Sequence, residues 1–205
     1  MFASIATAIA LVLGLCAAWA IVGDGSARSD SRFSRWTDTA LMIPLGTSAV
    51  TVGFGFLIVF DEPPLNLRSS LWLIPIAHAV VALPFVVRLL VPALRSIDPR
   101  LREAAATLGA SPRRVWWSVE VPIVGRALAA AAGFAFAVSL GEFGATAFLA
   151  RPDRPTMPIA IYRALGRPGE YNFGQAMAMS TILMLLTVVV MLVIDRFRPA
   201  SVSEF

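Results

Sequence analysis

Lysine is absent from this chain: all 17 basic residues are arginine, a bias for which the sequence offers no functional account. Cysteine and histidine are nearly absent too, with one of each among 205 residues. A single Cys16 excludes a disulfide within the chain, and its place in an apolar run reads as a small buried residue. Cys16 and His78 sit on different apolar segments and make no convincing nucleophile–base pair. A Walker A sequence, a Gly-rich dinucleotide loop, a metal-ligand cluster and an H-E-x-x-H motif are all missing. The expectation is therefore no catalytic residue, no metal site and no cofactor bound by this chain. Charge is scarce, at 15% of residues against 58% apolar, where soluble domains carry about 25% and about 45–50%. With a mean hydropathy of +0.76, the composition indicates an all-α integral membrane protein seated in a lipid bilayer. The formal charge of +4 does not argue for nucleic acid, because most arginines lie in gaps between apolar runs, where they orient membrane spans.

Five segments approach or exceed the roughly 20 apolar residues that cross a bilayer as a helix: 2–22, 40–60, 71–94, 122–149 and 172–194. Ala18-Trp19-Ala20 resembles a cleavage site, but a signal peptide starts with positive charge and no arginine precedes Arg28, so the first segment reads as a retained span. The gap at 23–39 holds Arg28, Arg32 and Arg35, and the gap at 95–121 holds Arg95, Arg100, Arg102, Arg113 and Arg114. Arg196 and Arg198 follow the last span, making ten on one side against five on the other, namely Arg68, Arg151, Arg154, Arg163 and Arg167. The excess predicts an N-terminus outside and a cytoplasmic C-terminus. Arg88 and Arg126, inside spans near their cytoplasmic ends, agree with this direction.

Pro75 and Pro84 predict kinks or freed carbonyls in the third span, and His78 reads first as a hydrogen-bonded packing residue. In the fourth, Gly125, Ala129, Gly133, Ala137, Gly141 and Ala145 recur at every fourth position, a stripe that lets membrane helices approach closely. Ser139, Glu142 and Thr146 share another face and are candidates for a translocation path. A carboxylate within a span costs a few kcal/mol unless it faces protein or water, so Glu142 reads either as a path residue or as a structural hydrogen-bonding group. The loop 150–171, rich in proline, contains an amphipathic piece around Met157–Leu165. It reads either as a contact surface for an external partner or as a connector. Asp61 and Glu62 read as solvated loop residues, and the methionines of the last span as a soft path or as packing filler.

The stretch 98–122 reads D-P-R-L-R-E-A-A-A-T-L-G-A-S-P-R-R-V-W-W-S-V-E-V-P. Asp98 and Ser111 are helix caps, each followed by a proline at the first helical position. This predicts two short helices, 99–108 and 112–120, that meet at Gly109. A polar helix pair between two spans is a docking element. If the chain takes part in active transport, the energy must enter from another polypeptide.

Glu103-Ala104-Ala105, then Gly109, then Val119-Glu120-Val121-Pro122 resembles the EAA signature of permease subunits in binding-protein-dependent ABC importers. Val119 and Val121 stand where Ile and Leu are usual. The resemblance implies the type I ABC importer permease fold, a single transmembrane domain over 1–205 with 95–121 as its coupling loop. It further implies that Glu103, Ala104, Ala105, Gly109 and Pro122 serve contact with a separate ABC ATPase subunit, which carries the ATP. S-L-G-E-F-G-A-T at 139–146, R-P-D-R-P-T-M-P-I-A-I-Y-R at 151–163, L-G-R-P-G at 165–169 and F-G-Q-A-M-A at 173–178 resemble the thiamine and ferric-iron branch, in particular the second half of a fused permease. The partners implied are the ATPase, a second permease half (self, fused or separate) and an extracytoplasmic binding protein, at a bacterial cytoplasmic membrane. Thiamine or its phosphates is the leading cargo and ferric iron the alternative. A proton-coupled secondary transporter that titrates Glu142 and His78 is the alternative of another class.

Overall fold

The computed structural model describes residues 1–22, 32–62, 67 and 70–196. Arg28, Arg68 and Arg198, which enter the orientation count, lie outside the described residues. The described residues form helices α1 (Phe2–Val22), α2 (Arg32–Gly46), α3 (Ala49–Val59), α4 (Leu73–Arg95), α5 (Pro99–Thr107) and α6 (Pro112–Val115). A π-helical turn (Trp116–Glu120) then leads into α7 (Val121–Gly141), followed by α8 (Gly144–Leu149), α9 (Met157–Leu165) and α10 (Glu170–Asp195).

Helices α1, α4 and α7 make the centre. Small residues of α1 at positions 3, 6, 10, 14 and 18 are all buried, and spacings of three and four place them on one stripe. A Cβ added to Gly14 would sit 2.5 Å from Val86 Cγ1, so only glycine lets α4 come this near. Val86, Leu90 and Leu94 of α4 meet Ala10 and Ala18 of α1, and Val124, Ala131 and Ala135 of α7. Lipid tails are as apolar as leucine, so within a bilayer such an interface is held by close packing rather than by release of water. Cys16, expected inside, is exposed. It stands two residues from Gly14, about 200° around the helix, and so faces away from the buried stripe.

Among the described residues, four helices are long and apolar enough to cross a membrane: Phe2–Val22, Leu73–Arg95, Arg113–Gly141 and Glu170–Asp195. The expected span 40–60 is instead divided between α2 and α3. Pro44 and Gly46 are weak helix formers. At the break, the Thr47 hydroxyl donates back to the Ile43 carbonyl at 3.0 Å, and Ser48 Oγ accepts the Val50 N–H at 3.3 Å. The 11 residues of α3 reach about 16 Å, half of a hydrocarbon core of about 30 Å. Segment 122–149 is divided too, at Glu142 and Phe143. Pro75 does not interrupt its span: it lies in the first turn of α4, where backbone N–H groups lack helical partners in any case. α4 continues through Pro84 and Pro92 as a single helix. α9 forms over the amphipathic piece expected there.

Candidate functional site

Two groups of residues singled out above have well-defined geometry: the 98–122 loop and the elbow between α7 and α8. In the loop, Asp98 caps α5 by accepting the Arg100 N–H at 2.9 Å. α5 ends in a left-handed turn at Gly109, with φ +78°. The Gly109 N–H donates to the Ala106 carbonyl at 2.9 Å, and the Ala110 N–H donates to the Ala105 carbonyl at 3.0 Å. This pair of bonds is a Schellman motif, which closes a helix end and fixes the direction of the next segment. Glu103 and Ala104 are exposed, Ala105 is half-buried, and Leu108 stands 88% exposed.

The second expected helix, 112–120, is not a separate element. From Arg113 to Gly141 the chain is one helical span of 29 residues. Pro122 has no N–H to offer the preceding turn, and that turn widens instead of breaking: the Val121 N–H reaches back five residues to the Trp116 carbonyl. Trp116 packs edge-on against Trp19 of α1, ring centroids 5.0 Å apart, which ties the base of this span to the central bundle.

At the elbow, Gly141 and Gly144 flank Glu142, whose backbone is extended (φ −68°, ψ 112°). Its carboxylate Oε1 accepts the Ala145 N–H at 2.9 Å, which satisfies a donor at the start of α8. Ser139 and Thr146 do not line a common helical face with Glu142 as expected, because the helix stops between them. They converge instead on His78 of α4. Ser139 Oγ lies 2.7 Å from His78 Nδ1, and Thr146 Oγ1 lies 2.6 Å from Nε2. The Thr146 hydroxyl donates to the Glu142 carbonyl at 3.2 Å. Its oxygen is then the acceptor for Nε2–H, while Nδ1 pairs with the Ser139 hydroxyl. His78 is 1% exposed and Thr146 fully buried, so each polar atom of the cluster is matched inside the bundle.

The small-residue stripe is split by the same elbow. Gly133 faces Ile194 of α10, and Ala137 and Gly141 line a cleft of about 390 Å³ against Ser180, Met184 and Thr187 of α10. Ala145, now on α8, packs against Gly53 of α3, while Gly125 has open space where its Cβ would be. Ala129 is half-buried. Arg88 Nε donates to Met42 Sδ of α2 at 3.3 Å. Among the described residues, no group of three or more His, Cys, Asp or Glu side chains is placed to hold a metal ion. The His78 cluster was foreshadowed in the sequence only by His78 on one apolar segment and by Ser139 and Thr146 on another. Its assembly depends on a helix break that periodicity does not announce.

Comparison with known proteins places this geometry. The chain is 28% identical over 182 residues to a protein of Salmonella paratyphi A named for the permease of a 2-aminoethylphosphonate transport system, PhnV; the match covers 89% of this chain and 67% of that one. It is 30% identical over 210 residues to the molybdenum transport system permease protein ModB of Mycobacterium tuberculosis, covering 96% of this chain and 76% of that one. In structure it resembles a chain of the inward-facing MetNI methionine ABC transporter, with a TM-score of 0.72 at 15% identity over 97% of this chain and 92% of that chain. Residues 10–202 match the family of binding-protein-dependent transport system inner membrane components. With the exposed E-A-A loop, the all-helical bundle and this match over nearly its whole length, the chain belongs to that family of ABC importer permeases.

Proposed function

We propose that this chain is the membrane subunit that couples a separate ABC ATPase to the import of a small solute delivered by an external binding protein, with a second permease half completing the path. The observation that carries the reading is the 98–122 loop. Its Schellman turn at Gly109 presents Glu103, Ala104 and Leu108 to solvent, while its second half runs unbroken into a membrane span. A partner that pushes on this loop therefore pushes on α7. By the arginine count, the loop and the C-terminus are cytoplasmic and the N-terminus lies outside. ATP belongs to the partner.

Replacing Glu103 by Ala and Gly109 by Val together tests the coupling. Import and the ATP hydrolysis stimulated by loaded binding protein should be lost while the chain still inserts and assembles. Unchanged stimulation in that double variant would overturn the role of the loop.

The cargo is thiamine or one of its phosphates, with ferric iron second, on the resemblance of 139–178 to that branch. The relatives named for 2-aminoethylphosphonate and molybdenum widen the field to anions. Glu142 does not narrow it, since one of its carboxylate oxygens is engaged at α8. A thermal-shift screen of the binding protein against thiamine, thiamine phosphates, ferric iron, 2-aminoethylphosphonate and molybdate decides among them. Stabilisation by one of the last two alone would remove the thiamine assignment.

A further inference from the structure

We propose that α3 and α8 move as one unit at the end of the bundle opposite the 98–122 loop, and that His78 is the positioning residue that latches this unit to α4. The proposal takes the importer reading as its setting. Three observations carry it.

First, the two short helices touch backbone to backbone. A Cβ on Gly53 would lie 2.5 Å from the Ala145 carbonyl oxygen, and one on Gly144 would lie 3.0 Å from the Val50 amide nitrogen. Phe54 and Phe148 then meet with ring planes tilted by 60° and centroids 5.6 Å apart. The pairings advance together along both helices, so α3 and α8 lie side by side and run in the same direction. Contacts this close leave no room for either to slide without the other.

Second, each joins its preceding helix through a non-helical break, at 47–48 and at 142–143. Gly46 and Gly141, just before the breaks, have no heavy atom within 4 Å of where a Cβ would stand. Backbone torsions can change there without a clash, which is what a hinge requires.

Third, the side-chain hydrogen bonds of His78 grip both arms of the second elbow: Nδ1 meets Ser139 on α7, and Nε2 meets Thr146 on α8. With the ring in place, the angle between α7 and α8 is set by α4. With either bond broken, α8 is tied to α4 by apolar contacts alone, among Leu73, Ile74, Ala77, Ala145 and Leu149, and α3 follows it. Transport that opens this end of the bundle then requires the latch to release.

The test uses the full chain in lipid nanodiscs, with Cys16 replaced by Ser and labelled chain diluted into unlabelled chain. Spin labels at Ile58→Cys and Tyr171→Cys report the end of α3 relative to α10; labels at Ala147→Cys and Tyr171→Cys report α8 against the same reference. All three sites are exposed. Thr146→Val keeps the side-chain shape and removes the hydroxyl, and both distance distributions should then broaden together, roughly two-fold, as a bistable element loses its bias. Thr146→Ser restores the hydroxyl and should return both to the parental widths. Unchanged distributions in Thr146→Val would overturn the latch, and broadening at Ala147 without Ile58 would overturn the single unit. The measurement itself requires neither ATP nor cargo. Loss of import in every chain, the parent included, would count against the importer reading and leave the latch standing.

Discussion

The Cβ that Gly53 lacks would stand 2.5 Å from the carbonyl oxygen of Ala145 and 2.6 Å from its Cα, so two membrane helices meet there with no side chain between them. Backbone atoms cannot swing aside as a side-chain tip does. Gly53→Ala should therefore separate α3 from α8 and cost about 1–3 kcal/mol, read as a lower unfolding midpoint of the purified protein in detergent. Gly55→Ala is the control: nothing lies within 4 Å of its Cβ position. That change should be neutral, or stabilise by up to about 1 kcal/mol through helix propensity.

Gly133 and Ile194 offer a softer version of the same contact. A Cβ at Gly133 would run into the Cγ1 and Cδ1 atoms of Ile194, the flexible end of a side chain on α10. Gly133→Ala should destabilise, and Ile194→Ala should relieve part of that loss. The two changes combined should then fall short of their sum, with a coupling of about 0.5–3 kcal/mol in a double-mutant cycle. Strict additivity would mean that α7 and α10 do not pack through this pair in the membrane.

Glu142 separates a structural carboxylate from one that acts on cargo. Gln keeps an oxygen for the Ala145 N–H and drops the charge. Glu142→Gln should retain insertion and most import, whereas Glu142→Ala should lose about 1 kcal/mol of capping and import with it. A Gln variant that folds like the parent but fails to import would make the negative charge itself the functional property.

Asp153 predicts the acid behaviour of the loop between α8 and α9. A hydrogen bond with its own backbone is the main cause that holds its carboxyl below 3.8, with Arg151 assisting; Arg151 Nε lies 3.2 Å away. The folded value is depressed, so the pairing contributes in full above pH 3.8 and fades as pH falls through the lower folded value. A carbon-13 titration of labelled aspartate should place the Asp153 midpoint below the ordinary 3.8. A midpoint at the ordinary value would mean that neither the backbone hydrogen bond nor the Arg151 contact persists in solution.

Long, evenly apolar segments were legible from sequence: α1, α4 and α10 begin and end within two residues of expectation. The capped helix at Asp98, its glycine stop at Gly109 and the short α9 were legible too, because caps and amphipathic spacing are local signals. The two helix breaks were not. The residues at 47–48 and 142–143 sit among apolar neighbours that fit a continuous span equally well, and hydropathy averages over them. What stops the helices is polar bonding by Thr47, Ser48 and Glu142 back onto the main chain, stabilised by packing between parts of the chain far apart in sequence. The site followed the same division. The E-A-A spacing and its glycine stop could be read from the sequence, but the meeting of His78 with Ser139 and Thr146 required the tertiary fold.

The 29-residue helix from Arg113 to Gly141 is about 43 Å long. A rod of that length, hydrogen-bonded along its axis, transmits thrust and torque instead of absorbing them. Turning its base through the angle between one residue and the next would swing Ser139 off the His78 ring. A rotation of this rod at its base, beside the wide turn at Trp116–Glu120, would therefore be felt at the His78 contact near its far end.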